Sequence, residues 1–93
     1  MRITEKNLEA RIAYLNKITG QPEAPFSRVD GNLIPHAGNY HLESVHGGYK
    51  LAQMCRNGSG SKDINYGGCI TKRELYTWIN AFINGVEYKE GIY

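Results

Sequence analysis

A chain of 93 residues has room for one domain with a single core and little space for a deep pocket. Its balance of 41% hydrophobic and 22% charged residues excludes a disordered tail, and a net charge of +2 is too mild to mark a dedicated nucleic-acid binder. No stretch approaches the roughly 20 apolar residues that span a bilayer. Met1-Arg2-Ile3-Thr4 leads into a helical pattern rather than a secretory apolar segment, so the expected compartment is the cytoplasm.

Thr4 can cap a first helix, with Ile3 and Leu8 at hydrophobic-staple spacing. Leu8, Ile12, Leu15 and Thr19 form one stripe, widened by Ile18, and Gly20 ends the run. Two prolines between Gln21 and Phe26 force an extended connector. Asp30-Gly31 then gives a tight turn between the short extended pieces around Val29 and Leu33.

The centre reads as an antiparallel hairpin, Tyr40 to His46 and Tyr49 to Arg56, turning at Gly47-Gly48. That register puts Tyr40, Leu42, Ser44, Leu51, Gln53 and Cys55 on one face, with Cys55 opposite Tyr40. His41, Glu43, Val45, Lys50, Ala52 and Met54 fall on the other. Asn57 to Lys62 is a flexible loop, and Asp63 to Tyr66 a third strand that resumes at Cys69-Ile70.

The last element is the most explicit. Thr71 and Glu74 have capping-box spacing, Ile70 and Leu75 flank them as a staple, and Leu75, Trp78, Ile79, Phe82 and Ile83 recur at helical spacing. Gly85 is the expected stop, with Val86-Glu87-Tyr88 extended after it and residues 89–93 frayed, as are residues 1–2. The order helix, antiparallel meander of about three strands, helix predicts a single α+β domain over residues 1–93: a two-layer sandwich with both helices on one sheet face.

No catalytic, metal or cofactor motif stands out. His36, His41 and His46 recur every five residues, which sends His41 and His46 to opposite faces of a strand and leaves no zinc-ligand pair. Cys55 and Cys69 read as reduced thiols, with a single bridge between them left open, and nothing gathers around either to make a nucleophile. Gly58-Ser59-Gly60-Ser61-Lys62 lacks the full phosphate-loop pattern.

The best surface candidate is Lys72, Arg73, Tyr76 and Asn80, which fall opposite Trp78, Ile79 and Phe82 and should be exposed, helped by Lys62 and its glycine loop. Seven tyrosines add a taste for contact surface, since tyrosine couples a large ring to a polar tip.

The strings Gly38-Asn39-Tyr40-His41-Leu42, Gly47-Gly48-Tyr49-Lys50-Leu51 and Thr71-Lys72-Arg73-Glu74-Leu75-Tyr76 resemble small proteins encoded by tailed bacteriophages and prophages, over about Ile3 to Gly85. That group has no assigned activity, so the resemblance implies an origin and no residue roles. Compact phage accessory proteins act stoichiometrically on host components, anti-CRISPR and other counter-defence inhibitors among them. The element order also resembles a double-stranded-RNA-binding domain, but Lys72-Arg73 is followed at once by Glu74, where such domains carry a longer basic run.

The expectation is therefore a non-enzymatic protein that inhibits or redirects a bacterial protein or ribonucleoprotein complex. Two alternatives stand beside it. One is phosphate contact with nucleic acid through the start of the second helix; the other is an oligomer that sequesters a small charged ligand such as a signalling nucleotide.

Overall fold

The computed structural model describes residues 2–56, 60–65 and 67–92. Helix α1 spans Glu5–Thr19. Strands β1 (Phe26–Val29) and β2 (Asn32–Pro35) pair as one two-stranded sheet, and β3 (Tyr40–Val45), β4 (Gly48–Met54) and β5 (Ser61–Asp63) form an antiparallel sheet in that order. Helix α2 spans Lys72–Glu90. The fold is α+β, with a helix at each end of the strands. No helix among the described residues is long and apolar enough to cross a membrane.

Both helices begin on capping boxes, so two otherwise orphaned N–H groups are satisfied at each start. Thr4 pairs reciprocally with Asn7, and Thr71 with Glu74. The Thr71 hydroxyl and N–H both donate to Glu74, which holds that carboxyl below its ordinary range. Gly20 ends α1 in the left-handed conformation, as the sequence predicts.

The core joins Ile3, Leu8, Ile12 and Leu15 to Leu75, Ile79 and Ile83 over Leu51 of β4. Tyr40, Leu42 and Tyr49 pack against the same cluster, so both helices cover one face of the three-stranded sheet. Arg11 donates to Asn80 and Tyr14 to Glu87, which sets the two helices side by side and running in the same direction. Burial of the α1 and α2 stripes is the main stabilising term, at about 1.5–3 kcal/mol per fully buried aliphatic side chain.

Four expectations are corrected. The central hairpin turns at His46-Gly47, both at positive φ (51° and 80°), so Tyr40 faces Gln53 rather than Cys55. Gly48 belongs to β4, where it pairs with Val45, and Cys69 crowds it: a Cβ there would lie 2.7 Å from the Cys69 Cβ. The slip is two residues, an even number, and the two sheet faces keep the side chains expected of them.

The third strand lies at Ser61–Asp63 rather than Asp63–Tyr66, and Tyr66 falls outside the described residues. Beyond it Ile64 N–H bonds the Leu51 carbonyl, and the Asn65 carboxamide takes the Leu51 N–H, so β4 is paired by a side chain where the strand has ended. Ile70 meets Tyr49 in an isolated antiparallel bridge. Of the expected loop, residues 57–59 lie outside the described residues, while Ser61 and Lys62 are strand.

Helix α2 does not stop at Gly85. It continues through Val86-Glu87-Tyr88 and past residue 89 to Glu90, where Gly91 supplies the left-handed cap. A glycine in a helix interior costs about 1 kcal/mol, and the following turn outweighs it. Val86 packs on the core, and Glu87 accepts the Tyr14 hydroxyl at 2.6 Å.

Candidate functional site

The patch expected on α2 is partly drawn into the fold. Arg73 is exposed, whereas Lys72, Tyr76 and Asn80 are half-buried. Lys72 sits over the Tyr49 ring at 5.7 Å, Tyr76 packs on the core, and Asn80 Oδ1 accepts the Arg11 guanidinium at 2.8 Å. The expectation of a uniformly exposed face fails because α1 lies alongside α2 and uses that flank. Lys62 does not join these residues. It is the register partner of Gln53, at the opposite end of β4 from Tyr49.

The sheet face turned away from the helices carries a charged lattice. Lys50 bridges Asp63 (2.9 Å) and Glu43 (3.6 Å), and Glu43 also accepts from Ser61 and His41, each at 3.0 Å. The His41 contact, with help from Ser61 and Lys50, holds the Glu43 carboxyl below its ordinary range, and the Asp63 contact raises Lys50. His41 Nδ1 is buried without a partner among the described residues. This lattice ties three strands together.

Both cysteines are free thiols. Cys69 lies against Gly48 at the start of β4 and Cys55 just beyond its end. No group of three or more His, Cys, Asp or Glu among the described residues could hold a metal ion.

Two features that the sequence does not mark as sites are more distinctive. The first is the β1–β2 hairpin, an arm that shares no substantial packing with either helix or the larger sheet. Its turn, Asp30-Gly31, has φ values of 51° and 80°, the pair that matches the twist of two short strands. Its apolar side chains stand in water: Phe26 is 45% exposed, Val29 52%, Leu33 58% and Ile34 43%. The register places Phe26, Arg28, Leu33 and Pro35 on one face and Val29 and Ile34 on the other.

The arm is pinned at its base. His36 bonds the Ala24 carbonyl and the Ser27 hydroxyl through its two ring nitrogens, both at 2.9 Å, and Asn39 donates to the Pro22 carbonyl at 2.7 Å. Prolines 22, 25 and 35 stiffen the same junction. The legible signal is the absence of alternation. Apolar residues on both faces of a short hairpin cannot all be buried against a single layer.

The second feature is a cleft of about 480 Å³ at the foot of this arm, lined by Gln21, Ala37, Gly38 and the end of β4 from Gln53 to Arg56, with Lys62 of β5. It lies where α1 terminates at Gly20 and the chain passes into the connector. Arg56 and Lys62 supply the charges among these lining residues, and neither has a partner among the described residues.

Comparison of the chain with family models, with curated proteins and with solved structures finds no match to any of them.

Proposed function

We propose that the protein is a non-catalytic interaction protein whose β1–β2 arm docks into an apolar groove, edged by acidic side chains, on a protein of a bacterial host complex, inhibiting or redirecting that complex. The observation that carries this reading is the exposure of Phe26, Val29, Leu33 and Ile34 on an element that shares no substantial packing with the rest of the fold. A two-stranded hairpin is marginal in water and gains order when a partner covers it. Clustered apolar side chains of this kind provide contact energy in interfaces.

The acidic edge follows from charge. Arg28 shares a face with Phe26 and Leu33, and Arg56 and Lys62 flank the arm's base without carboxylate partners among the described residues. Such charges steer encounter and fix orientation while the apolar contacts set the lifetime of the complex. The phage resemblance supplies the bacterial setting.

The test pairs the wild type with Phe26→Ser/Leu33→Ser, each used as bait in nuclease-treated bacterial lysate and each examined by sedimentation for self-association. Stoichiometric capture of one complex by the wild type, lost in a variant whose melting temperature is unchanged, supports the reading. Equal capture by the variant overturns it. Arm-dependent self-association without capture overturns it in favour of a second copy of this chain, and recovery that depends on intact nucleic acid overturns it in favour of the phosphate-binding alternative.

A further inference from the structure

We propose that the cleft at the foot of the arm is a binding site for a small phosphate-bearing molecule, held by Arg56 and Lys62. The site shares Arg56 and Lys62 with the charged flank of the arm, while the apolar side chains that carry the docking reading lie outside it.

The placement of the two cations follows from the sheet. Lys62 pairs in register with Gln53 and so points to the helix side, at the end of the sheet where α1 terminates in Gly20. Arg56 follows the end of β4 and closes the same cleft. Asp63, next to Lys62, points the other way and is engaged by Lys50. The lining residues thus gather two positive charges and no carboxylate, an arrangement that is self-repelling until an anion enters.

Chemistry narrows the anion. A guanidinium offers a planar fork of donors that fits two phosphate oxygens, and an ammonium adds a point charge for a third. Together they match the double charge of a phosphomonoester, whereas a single carboxylate would neutralise only one of them. The Gln21 carboxamide lies against Gly38 and has no hydrogen-bond partner among the described residues, so it is available to a polar group attached to the phosphate. A cleft of about 480 Å³ falls in the range of small-molecule sites.

Cys55 also lines the cleft, while Cys69 lies outside it, which provides an internal reporter. Pyrophosphate, titrated at constant ionic strength against the full chain, is expected to bind saturably and to slow alkylation of Cys55 by iodoacetamide several-fold without affecting Cys69. Arg56→Gln and Lys62→Gln should each weaken binding at least fivefold, and Lys89→Gln, which removes a charge elsewhere, should leave it unchanged. Absence of saturation, equal loss in Lys89→Gln, or full affinity in Arg56→Gln and Lys62→Gln overturns the site. Citrate binding as tightly as pyrophosphate overturns the preference for phosphate. Circular dichroism of each variant keeps loss of fold distinct from loss of binding.

Discussion

Asn16 of α1 uses its carboxamide as a surrogate strand for Tyr40. Its Nδ2 donates to the Tyr40 carbonyl at 2.9 Å, and its Oδ1 accepts the Tyr40 N–H at 2.8 Å. β3 is an edge strand, so at this residue the side chain replaces a ladder partner that the sheet does not supply. Asn16 is buried, which makes these two bonds costly to lose.

Asn16→Ala should therefore destabilise the protein by about 2–4 kcal/mol, because two largely buried backbone groups of Tyr40 lose their partners. Asn16→Asp keeps the acceptor but places a carboxylate against the Tyr40 carbonyl, and it should cost at least as much near neutral pH. The urea midpoint at unchanged slope measures both.

Gly85→Ala should stabilise the chain. The position lies in a helix interior, and a methyl group there would meet no neighbouring atom within 4 Å. The expected gain is about 1 kcal/mol. Thermal unfolding should shift upward by roughly 4–8 °C.

Gly48→Ala should do the reverse, by about 1–3 kcal/mol, since its methyl would press on the Cys69 Cβ at 2.7 Å. Cys69→Gly in the same chain removes the obstacle and should recover much of the loss. A double-mutant cycle reads that coupling directly, and strict additivity of the two changes would refute the steric account.

Acid should act partly through Glu43. Its carboxyl lies below the ordinary range in the folded protein, chiefly because His41 bonds it, with Ser61 and Lys50 adding to the effect. A depressed carboxyl favours folding when ionised. Its contribution is complete above the ordinary glutamate range and fades as pH falls through the lower folded-state value. Glu43→Gln should lie below the wild type in melting temperature near neutral pH, and the two curves should converge in acid.

The parts legible in the sequence are those where local chemistry and tertiary packing agree. Thr4, Gly20, Thr71 and the Leu75–Ile83 stripe each carry their own physical signature, and each takes its expected place. The end of α2 is hidden because a local stop signal at Gly85 is overridden by a contact 73 residues away in sequence, Tyr14 to Glu87. The hairpin turn is ambiguous because a double glycine suits a turn and also suits a strand crowded by Cys69. The α2 patch looks exposed in isolation, and only the neighbouring α1 reveals that Asn80 is taken by Arg11. Of the cleft, the sequence singles out Lys62 alone, because Arg56 and Gln21 join it only through the β4–β5 pairing and the end of α1.

The arm's separation from the core bears on how such a protein can change over generations. Leu8 or Leu51 cannot be replaced without approaching the stability threshold below which a small domain is lost. Phe26, Val29, Leu33 and Ile34 answer to no such threshold, because they take no part in that core. Substitutions there leave the core's contacts intact, so the arm can be rewritten one residue at a time on a body whose stability stays the same.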